Sequence, residues 1–314
     1  MRHLLALALI TVLISASGCV IPSDGVSGAG LVLEELVAEP SELQSGEPFV
    51  IRAKIRNSGG TRAENVFVKL LNTAMEEFSD ISCMPSFGTT GNCEIPFDLV
   101  GEDKETGVQG ESRTCAWECE APQIEKGLKV TYNPIVRVYY SYENIATKTM
   151  LIASQDEIKR LQSQGEPIPS ESITTTGGPV SVDIRLKGPL KFWEGKQQVE
   201  FPMEINIQNT GDGVACAFDS VSGGLEGCDN TENWNKVSIV SNTVDVIFDD
   251  CDLDKGAATV NLWNQGGKIV CNAWVDVLQH TTNLQKNIEI AAVYDYFFDN
   301  PIQVTVKGTM EDII

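Results

Sequence analysis

The stretch "FVIRAKIRNSGGTRA" (residues 49–63) recurs in altered form as "FPMEINIQNTGDGVA" (residues 201–215), at a constant offset of 152 residues. Both copies keep the first Phe, an Asn-x-Gly step and the last Ala. A second pair of similar stretches, "VRVYYSY" (136–142) and "IAAVYDY" (290–296), follows at an offset of 154 residues. Similar segments in the same order at nearly constant spacing indicate a tandem duplication.

The repeated stretch has the pattern of a β-strand that ends in a turn. Ile51, Ala53 and Ile55 alternate with charged residues, which is the period-2 pattern of a strand with one buried face. Residues 180–186 alternate in the same way. The Asn and Gly that follow tolerate the positive φ angles of a tight turn. Short alternating strands with turn-rich loops predict an all-β fold of two tandem immunoglobulin-like antiparallel β-sandwiches.

The segment between the two copies differs in composition. Ser154 and Glu157 form a capping box, with Ser at the N-cap and Glu three residues later, which predicts a short helix. Residues 165–179 are rich in Pro, Ser, Thr and Gly and have no apolar period, which predicts a flexible linker. The predicted division is a signal peptide (1–18), a lipid-anchored tether (19–29), a first sandwich (30–153), a helix with linker (154–178) and a second sandwich (179–314).

The first residues predict export. Arg2 and His3 precede an apolar run, and small residues follow up to Cys19, which is the order of a secretory signal peptide. The ending Ala-Ser-Gly-Cys resembles a lipobox, with Ala16 in place of the usual Leu, so Cys19 is predicted to carry lipid. The alternatives are plain secretion and an uncleaved anchor. The protein is predicted either to be lipid-anchored on the extracellular side of the cell membrane or to be secreted.

The other eight cysteines divide evenly between the two halves of the chain. An even set in each half of an exported chain indicates a disulfide framework. Zinc is the alternative, but the sequence has no C-x₂-C pair of the kind that structural zinc sites favour. The pairing stays open, with the sequence-near pairs Cys83–Cys93 and Cys216–Cys228 favoured. The predicted disulfide cysteines are Cys83, Cys93, Cys115, Cys119, Cys216, Cys228, Cys251 and Cys271.

The charge balance excludes one class of partner. Lys and Arg number 23 against 44 Asp and Glu, which gives a net charge of -21. So acidic a chain repels the phosphates of nucleic acids and anionic lipid headgroups. We therefore expect no nucleic-acid binding, and membrane attachment only through a lipid anchor.

One acidic loop is a candidate calcium site. Asp250, Asp252 and Asp254 alternate as at the start of an EF-hand loop, where alternation lets carboxylates converge on the ion. Lys255 stands in the place of the required Gly, and Asn261 in the place of the bidentate Glu. A solvated acidic turn is therefore the alternative, and no other cofactor is expected.

Catalytic residues are not expected. After removal of the leader His280 is the remaining histidine, whereas a catalytic zinc takes two or three, and nothing around His280 suggests a Ser-His-Asp relay. Two carboxylates for glycoside hydrolysis leave no sequence signature, so an envelope hydrolase is kept as a remote alternative. The paired tyrosines Tyr140, Tyr142, Tyr294 and Tyr296 are interpreted as core rather than as a sugar-stacking face.

Residues 39–70 resemble a known domain family. The matching elements are Glu39-Pro40, Gly46-Glu47, Asn57-x-Gly59 and Ala63-x-Asn65-Val66. They are similar to the start of CARDB-type domains, the cell-adhesion-related immunoglobulin-like modules of bacterial and archaeal secreted or S-layer-associated proteins. The second half keeps the Asn-x-Gly step and Ala215 but lacks the Asn-Val pair.

The resemblance implies β-sandwiches with a surface role, and the family brings no catalytic residues. We therefore expect binding or adhesion at the cell surface, with envelope or surface proteins or glycans as partners. The alternative is a structural subunit of an envelope layer or filament, in which strands of one copy complete the sheets of the next.

Overall fold

The computed structural model describes residues 30–71, 82–85, 93, 95–166, 172–187, 190–193, 196–218, 226–277 and 283–309. Strands dominate these ranges and the helices are short, so the all-β prediction is confirmed. The predicted signal peptide, the tether and Cys19 lie outside the described residues.

The described part of the first half contains β1 (Leu31–Glu39), β2 (Glu42–Gln44), β3 (Pro48–Asn57), β4 (Ala63–Leu71), β5 (Ser82–Pro85), β6 (Phe97–Leu99), β7 (Ser112–Glu120), β8 (Lys129–Tyr132) and β9 (Ile135–Ser154). Helix α1 (Gln155–Gln164) follows. The described part of the second half contains β10 (Ser172–Thr175), β11 (Val180–Leu186), β12 (Leu190–Phe192), β13 (Gln198–Asn209), β14 (Val214–Ala217), α2 (Glu226–Asp229), a 3₁₀ turn (Thr231–Asn233), β15 (Lys236–Ser241), β16 (Ile247–Asp249), a 3₁₀ turn (Asp252–Lys255), β17 (Ala257–Asn261), β18 (Gly266–Asp276), β19 (Asn283–Pro301) and β20 (Val304–Lys307).

In the part of the chain that the structure describes, each half has a four-stranded outer sheet, and the strand order is equivalent in both. The orders are β1-β3-β7-β5 and β11-β13-β18-β16. The two copies of the repeated motif form β3 and β13, which hold the same place in their sheets. The alternation follows the prediction, since Ile51, Ala53 and Ile55 are fully buried whereas Arg52 is exposed.

The two halves meet in one nine-stranded sheet, which we call the shared sheet. Its central pair is β9 and β19, which are antiparallel and in register from Ile135↔Pro301 to Ala153↔Asn283. Strands β4, β6, β10 and β12 extend the sheet beyond β9, and β14, β15 and β17 extend it beyond β19. Inward-facing side chains of the shared and outer sheets belong to one hydrophobic core. The halves are therefore joined by main-chain hydrogen bonds as well as by the covalent connection.

The last described strand returns to the first half. β20 lies between β2 and β8, parallel to β2 and antiparallel to β8, and we call these three strands the C-terminal sheet. Val304 and Val306 of β20 are fully buried and belong to the same core as Leu43 of β2. A strand of the second half thus completes a sheet of the first.

The predicted capping box is present at the start of α1. Glu157 N donates to Ser154 Oγ (3.1 Å), and Ile158 and Leu161 on the inner face of the helix are buried. Within the segment predicted to be a flexible linker, β10 pairs with β9 at residues 146–149. Its β-branched side chains suit a strand, and it occupies the edge of β9 beyond the point where β4 ends.

The Asn-x-Gly motif closes a turn with its own side chain. Asn57 is fully buried, its Nδ2 donates to Thr61 O (2.8 Å), and its Oδ1 accepts from Gly59 N (3.0 Å). Gly59 does not have the positive φ that the sequence suggested. A Cβ there would lie 1.9 Å from the Tyr142 hydroxyl, so the glycine is required by this close approach.

The four tyrosines of β9 and β19 are core residues, as predicted. Tyr140, Tyr142, Tyr294 and Tyr296 are at most 2% exposed, and each ring centroid lies 5.5 to 6.3 Å from the centroids of two others in the set. The Tyr296 hydroxyl donates to Oδ1 of the buried Asn209 (3.1 Å), and burial raises the pKa of Tyr296 to about 12. The tyrosine hydroxyls thus hold the turns of the repeated motif against the shared sheet.

All eight cysteines of the two halves form disulfides, which confirms the predicted framework. The bonds are Cys83–Cys119, Cys93–Cys115, Cys216–Cys228 and Cys251–Cys271, each within one half. The favoured pair Cys216–Cys228 is right, and the favoured pair Cys83–Cys93 is wrong. Cys83 lies directly opposite Cys119 in the β5–β7 register, a proximity that sequence separation does not show. Four disulfides indicate an oxidising, extracellular environment.

Candidate functional site

A groove of about 880 Å³ opens at the edge of the second half. It lies where β17, the last strand of the shared sheet, adjoins β13 and β18 of the second outer sheet. Its volume falls within the roughly 300–1,000 Å³ of typical small-molecule sites. We call it the Trp263 groove, after the one aromatic residue among its described lining residues.

The Trp263 side chain is 80% exposed and is held by a two-residue turn. Asn264 and Gln265 have φ values of 51° and 68°, the two positive angles of a type I′ turn, and Gly266 N donates to Trp263 O (3.0 Å). Asn209 N donates to Gln265 O (2.7 Å), which ties the turn to the end of β13. An exposed indole on a rigid turn offers a large contact surface at a low entropy cost.

The rest of the lining is rich in hydrogen-bonding side chains. Asn206 and Gln208 come from β13, Asn261 comes from β17, and Asp250 comes from the loop after β16. Asp250 has a φ of 58°, and its Oδ2 accepts from Asn272 Nδ2 (3.2 Å). Amides donate and accept and carboxylates accept, so the groove can satisfy a ligand that carries several hydroxyls.

The groove is acidic. Among the lining residues that the structure describes, Lys268 is the one cation, and its Nζ lies 2.5 Å from Glu204 Oε2 on the neighbouring strand. The hydrogen bond from Lys268 lowers the pKa of Glu204. The lining also carries the carboxylates of Asp250 and Asp252. Negative charge at the groove disfavours anionic ligands.

The candidate calcium residues fall at this groove. Asp250 and Asp252 both line it, and the Cys251–Cys271 disulfide fastens their loop to β18. The side chain of Asp254 lies outside the described residues. Among the side chains that are described, no group of three or more His, Cys, Asp or Glu is arranged to hold a metal ion. A calcium site here stays a prediction.

Two further sequence candidates have no described position. Cys19 and His280 both lie outside the described residues. Of the helices in the described ranges, none combines the length and the apolar character needed to cross a membrane.

Trp263 is not among the residues that the sequence patterns single out. A local signal exists, since "NQG" (264–266) follows the alternating residues of β17 and resembles a hairpin turn. Nothing in that signal tells an exposed tryptophan from a buried one.

No family model matches the chain, and no curated protein matches it. Among solved structures, a secreted serine protease of Vibrio cholerae, VesC, is similar over 87% of this chain, with 8% identity and a TM-score of 0.21. The chain spans about half (51%) of VesC. The CupB6 tip adhesin of Pseudomonas aeruginosa is similar over 90% of this chain and 96% of its own, with 7% identity and a TM-score of 0.16. Scores this low carry no inference about fold or activity.

Proposed function

We propose that the chain is an exported cell-surface protein that acts in binding or adhesion through the Trp263 groove. The observation that carries the proposal is the 80% exposed indole at the rim of a groove lined by amides and carboxylates. Exposed aromatic residues next to convergent polar groups are typical of recognition surfaces. The proposal assigns no catalytic activity to the chain.

The proposed modules are two immunoglobulin-like sandwiches of the CARDB type. Three observations support this: the equivalent order of the outer sheets, the same Asn-x-Gly turn in both copies, and its contact with a core tyrosine in each. In this proposal the two sandwiches share one sheet, so the pair forms a single rigid unit that presents the groove at one end.

The proposed location is the outer side of the cell membrane, with Cys19 as the lipid-bearing residue. The four disulfides support an oxidising compartment. Cys19→Ser should release the protein from membranes into the medium, because the diacylglyceryl group supplies the two chains that stable anchoring needs. Retention of this variant in the membrane fraction would contradict the lipoprotein proposal.

The binding role is tested by adding the purified region 30–314 to isolated cell envelopes of the source organism and measuring the bound fraction. Saturable binding is expected, and it should fall in Trp263→Ala but not in Trp193→Ala. Trp193 is a matched control because it is also exposed (57%) and does not line the groove. Binding that is absent, or equal in all three proteins, would overturn the proposal.

A structural subunit of an envelope layer or filament is the second candidate. It is favoured by β20, which completes a first-half sheet and could do the same in a neighbouring copy. Sedimentation equilibrium of region 30–314 separates the two candidates. A monomer supports the binding role, and open-ended assembly supports the structural one.

A further inference from the structure

We propose that the Trp263 groove binds an uncharged saccharide. This inference rests on the proposed function, since it names the class of ligand that the groove takes. It follows from three properties of the groove: a rigid aromatic platform, a hydrogen-bonding lining and a negative charge.

The platform suits a sugar ring. One face of a pyranose carries mainly C–H groups and is apolar, so it stacks on an indole without losing hydrogen bonds to water. Trp263 presents such a surface, 80% exposed, on a turn that hydrogen bonds from Gly266 and Asn209 hold in place. A ligand therefore meets a preorganised surface, which lowers the entropy cost of binding.

The lining suits the edge of the ring. Sugar hydroxyls donate and accept at once, and they pair best with amides and carboxylates. Asn206, Gln208, Asn261 and Asp250 supply these groups from three different segments around the groove. Because these side chains surround the groove from different segments, they can form hydrogen bonds with several hydroxyls of one ligand.

The charge selects against other aromatic-seeking ligands. Nucleic-acid bases also stack on tryptophan, but their phosphates require cations. Lys268, the cation among the described lining residues, is already paired with Glu204. Sulfated and uronic-acid polysaccharides are disfavoured for the same reason. An uncharged saccharide carries no charge that the carboxylates of the groove could repel.

The first half provides an internal comparison. There the bond equivalent to Asn209 N–Gln265 O runs from Asn57 N to Glu111 O (3.0 Å). Two residues before that carbonyl the first half has Gln109, whereas the second half has Trp263. At this position the first half carries an amide and the second half an indole, and we assign saccharide binding to the second half.

The test is affinity electrophoresis of region 30–314 in native gels that contain mannan, galactan or β-glucan, with heparin as the anionic comparison. At least one neutral polysaccharide should retard the protein, and heparin should not. Trp263→Ala should weaken the retardation about tenfold or more, the scale of loss expected at a tryptophan hot spot. Trp193→Ala should behave as the parent does. Equal melting temperatures of parent and variants establish that folding is unchanged.

Binding to chemically treated cell envelopes distinguishes a failure of the saccharide inference from a failure of the proposed binding function. Binding to envelopes that is lost after periodate oxidation of sugars, and kept after protease treatment, supports a saccharide. Binding that depends on Trp263 but is lost only after protease treatment overturns the saccharide and leaves the binding role intact, with a strand added at the β17 edge as the alternative. Retardation that is equal in parent and Trp263→Ala, or stronger in heparin, also overturns the inference.

Discussion

Replacing both buried valines of β20 with alanine should destabilise the whole protein. Val304 and Val306 are 0% exposed in the core of the C-terminal sheet. Each substitution removes two methyl groups, which at about 0.8 kcal/mol per group amounts to roughly 1.6 kcal/mol, and the cavity left behind adds to it. About 4 kcal/mol is therefore expected for the pair, a large part of the roughly 5–15 kcal/mol by which domains are stable.

The assay is urea unfolding of region 30–314 with its disulfides intact, followed by circular dichroism and by tryptophan fluorescence. The matched control is Thr305→Ala, because Thr305 lies between the two valines and its Oγ1 is 3.3 Å from Thr131 Oγ1 in an exposed pair. That substitution should cost about 1 kcal/mol or less. Both probes should report one transition, because the β9–β19 pairing couples the halves.

Two results would refute this reasoning. If Val304→Ala/Val306→Ala unfolds at the same urea concentration as Thr305→Ala, the C-terminal sheet does not bury these side chains. If the two probes give separate transitions, the halves unfold independently and the shared sheet does not couple them.

Three further predictions concern the linker, the carboxylate of Glu143 and calcium. After cleavage within residues 167–171, both fragments should elute together on native size exclusion, because β9 and β19 stay paired. On a denaturing gel without reductant they should run as two bands. A single band that splits only after reduction would contradict the pairing of disulfides within halves. Burial and two neighbouring glutamates raise the pKa of Glu143, so its contribution to stability is present at low pH and lost as pH rises through the folded-state value. Glu143→Gln should therefore raise the melting temperature at about pH 8 but not at about pH 4, while Glu200→Gln, at an exposed position, changes neither; equal effects at both pH values would count against this. Millimolar calcium should raise the melting temperature if the aspartate loop binds the ion, and Asp252→Asn should abolish the rise; no shift in the parent returns the loop to a solvated turn.

The local features of the fold were predictable because their causes are local. The alternation around Ile51 and Ile55 follows from the two faces of a strand, and the capping box at Ser154 satisfies free N–H groups within one turn of helix. The assignment of the tyrosines to the core follows from their place among alternating apolar residues. Each of these features is determined by residues only a few positions away in the sequence.

The contacts between the halves were not predictable from such patterns. A strand buried on one face has the same sequence whether its edge is free or paired, so the register of β9 with β19 leaves no local trace. The Cys83–Cys119 bond depends on the register of β5 with β7 in the same way. The Pro- and Gly-rich composition of residues 165–179 indicated a linker, yet Ile173 and its neighbours form β10 because an unpaired edge of β9 lies within reach.

The two copies share the elements that build the fold and differ at the position to which we assign binding. The outer sheets have the same strand order in both halves, and the Asn-x-Gly turn meets a core tyrosine in both. These elements belong to the scaffold, since in each half they position the repeated strand and pack its turn against the shared sheet. The copies differ two residues before the carbonyl that accepts the hydrogen bond from the motif's Asn N. That residue is Gln109 in the first half and Trp263 in the second. Because the equivalent turn of the first half carries Gln109, the shared part of the fold does not require an indole at this position, which agrees with the binding role that we propose for Trp263.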